Sequence, residues 1–310
     1  AGPRDLLVEV KAISVNPVDT KVRQNVQPEA DAAKVLGWDV AGVVKAVGSD
    51  VSLFKVGDTV FYAGSIARAG ANSERHVVDE RIVGHMPKSL DFAQAAALPL
   101  TAITAWELLF ERLGVTEGKT DEQQSLLIVG AAGGVGSILT QLARQLTALK
   151  VIGSASRAET KTWVRELGAD VVVDHSQALS EELKRHGINT VTHVASLTQT
   201  DQHLDQLVEA LAPQGKLALI DDPKALDITK LKRKSLSLHW EFMYTRSLFE
   251  TADMIEQHHL LNRVADLIDA GTLRTTVGEH FGTINAANLR RAHALLESGK
   301  SKGKIVLEGF

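Results

Sequence analysis

Hydrophobic positions along this chain change their period part-way, and the change divides it. From Leu6 to Ile13 apolar and β-branched residues alternate with polar ones, which predicts a strand. Val40–Val47 is a second apolar run, punctuated by Gly42 and Gly48. Lys55–Phe61 reads as a turn entering a strand, and Gly64–Ser73 as a loop of small residues. Ala93–Phe110 shifts to a helical period, interrupted at Pro99. From Ser125 onward strands and helices alternate. Strands are expected at Leu126–Val129, Val151–Ser154, Val171–Val173, Thr190–Ala195 and Lys216–Ile220. Helices are expected at Ser137–Leu146, Ala158–Leu167 and Gln202–Leu211, the last stopped by Pro213 and Gly215. Further helices at Met254–Ala270 and Asn285–Ser298 and a strand at Lys304–Leu307 complete the chain. The alternation predicts an α/β fold: a β-rich first part, then a parallel sheet with helices on both faces. No internal repeat or low-complexity segment is present.

Composition narrows the functions more than the fold. The chain has 310 residues, enough for about two domains. A net charge of -4 gives no electrostatic reason to expect nucleic acid or an anionic membrane as partner. With no cysteine, disulfides, thiolate metal sites and a catalytic thiol are all excluded. No signal peptide precedes Asp5 and no run of about 18 apolar residues is seen, so the expected location is the cytoplasm. The start at Ala1, without an initiator Met, reads as a shortened chain.

The chemistry begins at Leu126–Gly136, LLIVGAAGGVG. Gly130, Gly133 and Gly136 give a GxxGxxG spacing between an apolar strand and an amphipathic helix. Such a turn needs positive φ, and backbone N–H groups of Gly130, Ala131, Gly133, Gly134 and Val135 must approach a pyrophosphate with no Cβ in the way. The helix start adds unpaired N–H groups and a positive dipole end. This predicts a nicotinamide dinucleotide. An NAD-selecting carboxylate belongs about 20 residues on, at the end of the second strand. Ser154, Ser156 and Arg157 stand there instead, with Lys161 one helical turn later. Hydroxyls and cations suit a 2′-phosphate, so NADPH is expected over NADH; the other reading of Arg157 is a solvated helix-start residue.

Several segments together resemble the medium-chain dehydrogenase/reductase superfamily, most of all its quinone oxidoreductase (zeta-crystallin-like) branch and the zinc-type alcohol dehydrogenase-like group within it. They are Val15–Asp19, Leu36–Val44, Val56–Val60, Ala95–Ala102, the glycine loop and Gly303–Leu307, in family order along almost the whole chain. The resemblance implies a GroES-like catalytic domain over residues 1–100 and 242–310, with a Rossmann NADP-binding domain at 101–241 between them and an active-site cleft where the two meet. It also implies that the metal ligands of zinc-dependent relatives would fall at Asn16, Trp38 and near Leu100. None of these supplies a thiolate or imidazole, so no catalytic zinc is expected.

Without a Lewis acid, the suitable acceptor is already electron-poor: a quinone or the C=C of an enone. By the same resemblance Asn16 lies near nicotinamide and substrate, unless it is simply the turn residue before Pro17. Lys21 stands where the family often has a tyrosine, which removes that hydroxyl from the candidates. Tyr62 is a proton donor or a packing tyrosine. Thr104 and Trp106 lie on a helix that borders the cleft in the family, Trp106 being equally readable as core; a water is the other proton source. His175 takes the place of a family tyrosine along the adenosine, or is an exposed loop histidine. Ser196, Leu197 and Asp221 end the strands that the cofactor crosses, and Lys304 or Lys302 of the tail could reach it. Trp38, Trp240 and Phe242 are expected to shape an apolar substrate pocket. Leu236, Leu238 and Trp240 alternate with Ser237 and His239 as the last Rossmann strand, the edge through which the family forms a homodimer. The function expected is a zinc-independent NADPH-dependent reductase of quinones or activated alkenes. The alternatives are reduction of simple aldehydes or ketones, and a non-enzymatic NADPH-binding redox sensor.

Overall fold

A computed structural model describes residues 1–28, 32–118 and 123–310. The chain divides into two compact units, residues 1–103 with 243–310 and residues 104–242.

The first unit is a mostly antiparallel sheet. Its N-terminal part runs β1 (Asp5–Val15), α1 (Pro17–Asn25), β2 (Val40–Val47), β3 (Thr59–Tyr62), β4 (Arg75–Asp79), β5 (Val83–His85) and α2 (Phe92–Ala96). Helix α3 (Pro99–Trp106) follows, Pro99 opening it where the missing N–H costs nothing. The second unit takes over within α3, which passes into a π-helical stretch at Glu107–Arg112. That unit then runs β6 (Ser125–Val129), α4 (Gly134–Leu146), β7 (Lys150–Ser154), α5 (Ala158–Glu166), β8 (Val171–Val173), α6 (Leu179–Arg185), β9 (Val191–Ser196), α7 (Thr200–Ala210), β10 (Leu211–Leu219) and β11 (Ser237–Trp240). The chain returns to the first unit through α8 (Thr245–Phe249), α9 (Glu256–Asp269), β12 (Val277–His280), α10 (Ala286–Glu297) and β13 (Lys304–Glu308).

Strand β1 organises the first sheet, whose order is β12-β13-β1-β2-β3-β5. Its first half pairs with β4 and its second half with β13, Ser14 opposite Val306 and Val15 opposite Ile305. Leu6, Val8, Val40, Val60 and Leu307 fill the core beneath it. The second sheet has order β11-β10-β9-β6-β7-β8, and every pair in it is parallel. Its order turns back between β6 and β9, the switch point beside which such sheets bind ligands, at the carboxyl ends of the strands. Leu127, Val129, Ile152, Val194 and Leu217 pack between that sheet and its helices.

Several expectations change in detail. Asn16 and Pro17 are not a bare turn; Asn16 caps α1 and Pro17 opens it. Helix α4 starts at Gly134, three residues before the expected start at Ser137. Helix α7 ends at Ala210, before Pro213 and Gly215, so these two are not what stops it. They lie inside β10, whose register jumps from Leu211↔Val191 to Lys216↔His193 with Gln214 at φ +64° between them. Helix α6, unanticipated, is a two-turn element rich in charged residues beyond its two leucines. One helical run among the described residues, Phe92–Arg112, is long and apolar enough to cross a membrane; 83% of its most apolar window is buried here.

Candidate active site

In the second unit, β6 delivers the chain to Gly130 at φ +82°, a value that an L side chain rarely adopts. The Gly130 N–H donates to Ser154 Oγ at 3.0 Å. A Cβ on Gly136 would stand 2.6 Å from Ala131 Cα and from Gly130 O, so glycine lets α4 sit against the strand. A Cβ on Gly133 would meet only Gly130 O, at 3.5 Å, with open space elsewhere. Gly133 caps α4 without a side-chain acceptor, so the first-turn N–H groups have no partner inside the helix. The Ala131 N–H donates to Ser154 O and the Gly133 N–H to Gly130 O, both at 3.2 Å, so Gly130, Ala131 and Gly133 shape the turn with their own N–H groups engaged, and Gly134 and Val135 at the start of α4 present the N–H groups that suit a pyrophosphate.

The carboxyl ends of the neighbouring strands are bonded to one another. Ser154 Oγ, besides accepting from Gly130, meets His175 Nδ1 at 3.1 Å. Both residues therefore anchor the glycine loop. Ser156 is exposed beyond them. Arg157 pairs with Glu159 at 3.2 Å and Lys161 with Asp174 at 2.7 Å. On the other side of the loop, Ser196 Oγ and Thr200 Oγ1 are 2.7 Å apart, and Thr200 donates its N–H to Asp221 Oδ2 at 2.8 Å. Leu197 N–H returns to Val129 O at 3.2 Å.

The first unit holds a different constellation, buried and charged. The β1–β13 register brings Lys304 beside Asn16. Lys304 Nζ donates to Val15 O at 3.0 Å, to Asp39 Oδ2 at 2.9 Å and to Asn16 Oδ1. Asn16 Nδ2 donates to the same Asp39 oxygen at 2.8 Å and approaches Trp38 O at 3.4 Å. Asp39 Oδ1 accepts the Leu100 N–H at 2.8 Å. Asp19 Oδ2 accepts the Asn16 N–H at 2.7 Å, closing the cap of α1. All of this is sealed from solvent: Asp19 and Asp39 are fully buried. Two carboxylates face one ammonium, so burial is only partly compensated. It pushes Asp39 upward against the pull of Lys304, Asn16 and the Leu100 N–H. It pushes Asp19 up to about 7, opposed by the Asn16 N–H and Lys304 and aided by the negative charge of Asp39.

Three expected site residues are placed otherwise. Lys304 reaches no cofactor here, because all three Nζ hydrogens are directed at Val15, Asn16 and Asp39. Tyr62 is fully buried, its hydroxyl 3.0 Å from His76 Nδ1 with the two rings stacked, so that hydroxyl is engaged inside the unit. Trp38 is a core residue whose indole N–H donates to Ser65 O at 3.2 Å. In the second unit Thr104 is buried on α3, and Trp106 is half-buried against Phe110, ring centroids 4.8 Å apart. Trp240 and Phe242 are exposed at the end of the edge strand.

A further cluster in this unit left no sign in the sequence pattern. Glu241, just past β11, and Glu107, the first residue of the π-helical stretch, are both buried. Arg112 Nε donates to Glu241 Oε2 at 2.9 Å and lies 4.0 Å from Glu107. Glu241 Oε1 is sealed and meets no N–H or O–H of another residue, while the Glu107 carboxyl stands within hydrogen-bonding reach. One acid must carry a proton for the two to sit together. Burial first, then the charge of Glu107, raises Glu241 to about 9 against the pull of Arg112.

Comparison with known proteins now decides the family. Residues 2–99 match the alcohol dehydrogenase GroES-like domain, and residues 167–307 the zinc-binding dehydrogenase domain. A zinc-type alcohol dehydrogenase-like protein of Staphylococcus aureus (strain MSSA476) is 40% identical across 98% of this chain and 90% of its own length. The chain belongs to the medium-chain dehydrogenase/reductase superfamily. Among solved members, a protein of Rhizobium etli CFN 42, provisionally named a zinc-dependent alcohol dehydrogenase, superposes with a TM-score of 0.96. It is 56% identical and covered over 90% of its chain by all of this one. Escherichia coli quinone oxidoreductase, solved with NADPH, gives 0.83 at 27% identity, with 99% of this chain and 92% of that one covered. Superfamily members are oxidoreductases, and those similar to this chain include quinone oxidoreductases.

Against the superfamily's metal positions, the first-unit cluster is informative. Asn16 and the Leu100 N–H converge on the Asp39 carboxylate, and the cation there is an ammonium of the chain itself. Among the described residues no three His, Asp or Glu side chains gather closely enough to hold a metal ion.

Proposed function

We propose that this chain is an NADPH-dependent oxidoreductase that works without a metal and reduces quinones or activated alkenes. The observation that carries the reading is the saturation of Asp39 by Lys304, Asn16 and the Leu100 N–H. A carboxylate so engaged has no need of a divalent cation, and neutral amide and apolar residues at the other positions give one no ligands. A carbonyl substrate would lack Lewis-acid polarisation, so an acceptor that is electron-poor on its own is favoured.

NADPH, when bound, supplies a hydride. The glycine cradle and the N-terminus of α4 hold its pyrophosphate, while Ser156, Arg157 and Lys161 lie at the strand end that receives the adenosine ribose. Ser154 and His175 fix the loop that does this holding. Asn16, at a position where the family resemblance puts a metal ligand, is buried with its amide oxygen held by Lys304 and its amide nitrogen by Asp39, so here it braces the first unit and points no free donor at a substrate.

NADPH consumption against a panel of quinones, enones and simple aldehydes tests the proposal. Turnover of quinones or enones that a strong zinc chelator leaves unchanged is expected. Turnover confined to aldehydes and abolished by the chelator would overturn it, and tight NADPH binding with no turnover at all would favour a redox sensor.

A homodimer through β11 belongs to the same reading. β11 is the edge of its sheet, and Trp240 and Phe242 at its end are about half exposed, 53% and 47%. Sedimentation as a monomer at micromolar concentration would refute it.

A further inference from the structure

The end of β8 carries a carboxylate that bears on cofactor preference as directly as the residues at the end of β7. β7 and β8 are paired up to Ser154 and Val173, and the Ala155 N–H bonds Val173 O at 3.0 Å. Asp174 is therefore the next residue beside Ala155 and Ser156, at the carboxyl edge where a Rossmann sheet receives the adenosine ribose. It is a built feature. Oδ1 accepts from the N–H of Ser176 at 3.0 Å and its hydroxyl at 2.6 Å, and the Asp174 N–H donates to Glu182 Oε2 at 3.0 Å. Oδ2 takes Lys161 Nζ at 2.7 Å. Burial works against the charge, but Lys161 and the Ser176 donors outweigh it and hold the carboxyl at about 2. The pair is only partly covered, Lys161 29% and Asp174 18% exposed at their side chains, so an arriving anion can compete for the lysine.

We propose that Asp174 is the residue that sets how strongly this protein prefers NADPH over NADH, by holding Lys161 away from the 2′-phosphate. The proposal rests on the dinucleotide reading of the glycine cradle. A phosphate at the ribose shares the Lys161 ammonium with Asp174 or displaces the carboxylate from it, and in either case it faces the negative charge of Asp174. A ribose with a free 2′-hydroxyl meets no such competition and has in Asp174 an acceptor. Lys161 and Asp174 thus pull in opposite directions, and the wild-type protein uses both cofactors with a modest preference for NADPH. Arg157 pairs with the largely exposed Glu159, a weak tie that leaves its guanidinium available to a 2′-phosphate in every variant.

Binding titrations without any substrate, following nicotinamide fluorescence, test this. NADPH and NADH are each titrated into wild type, Asp174→Asn, Lys161→Met and the double variant. Asparagine keeps an acceptor for Ser176, and an unchanged melting temperature checks that the turn survives. The Asp174→Asn variant is expected to bind NADPH about three- to tenfold more tightly, the scale of one partly exposed ion pair released. NADH affinity should stay the same or weaken. Lys161→Met should weaken NADPH about tenfold and leave NADH nearly unchanged, and the gain from Asp174→Asn should vanish in its background. An unchanged NADPH/NADH ratio in Asp174→Asn, or an equal gain with Lys161 absent, overturns the role of Asp174 while leaving the dinucleotide reading intact. If wild type binds neither nucleotide, the dinucleotide reading itself fails.

Discussion

Lys304→Met is expected to destabilise the first unit by about 3–5 kcal/mol, the usual cost of removing one partner of a buried ion pair. Lys304 is nearly buried and Asp39 wholly so, and the ammonium makes three hydrogen bonds that methionine cannot make. Asp39 would keep only Asn16 and the Leu100 N–H. Its carboxyl already sits above the ordinary range because burial outweighs those partners, and losing the cation raises it further. A raised carboxyl means that the folded state binds a proton which the unfolded chain has released. The penalty in Lys304→Met therefore grows as pH rises from the ordinary carboxylate range. Urea denaturation at two pH values measures both effects. The double variant Lys304→Met/Asp39→Leu should recover a large part of the loss, since an apolar pair can replace a buried ionic one. A single-variant loss below about 1 kcal/mol, or no recovery in the double variant, would contradict the assignment.

The second large effect is on the Glu107–Glu241 pair. Glu241→Gln is expected to be more stable than wild type at alkaline pH, with the difference shrinking toward pH 5. The folded protein holds a proton on Glu241 up to about 9, whereas an unpaired glutamate releases it near 4.5. Across that window the folded state binds the extra proton, so wild-type stability falls as pH rises and levels off above the folded value. Each tenfold gain in proton affinity on folding corresponds to about 1.4 kcal/mol, so even a fraction of this rise amounts to a few kcal/mol. Glutamine fills the same space, donates to Glu107, and does not titrate. Melting temperatures of both proteins from pH 5 to pH 9 measure it; parallel curves would show that no proton is shared.

How far the sequence carried these conclusions depended on distance along the chain. The parallel sheet was readable because β6, β7 and β9 are short, largely buried strands rich in valine, isoleucine and leucine, each followed by an amphipathic helix. Short or polar elements such as α6, β4 and β12 left no comparable trace. The glycine cradle was legible because a backbone that must turn sharply and admit an anion needs glycine at fixed offsets within seven residues. The Asp39–Lys304 bond joins residues 265 positions apart, and only the β1–β13 register makes them neighbours. Lys304 consequently read as a tail lysine free to reach a cofactor. Glu241 read as part of an apolar strand end, because its partners, Glu107 and Arg112, belong to a helix more than a hundred residues earlier. Asp174 directly follows a predicted strand, but the spacing that selects NAD points to the end of β7, and only the pairing of β7 with β8 brings Asp174 to the same place.

The placement of β13 also bears on how the protein is made. The six strands of the second sheet lie between Ser125 and Trp240, so that unit is complete while the polypeptide is still being synthesised. The first sheet differs. Its central strand β1 lies far ahead of β13 in the chain, so the β1 segment Ala12–Val15 waits for that partner, and Asp39 waits with it for the ammonium that neutralises it. Until then Leu6, Val8 and Ile13 have an unfinished core, and a carboxylate destined for burial must stay hydrated or protonated. The interrupted unit thus closes after the second one, and its nascent β-strands stay incompletely paired for longer during synthesis.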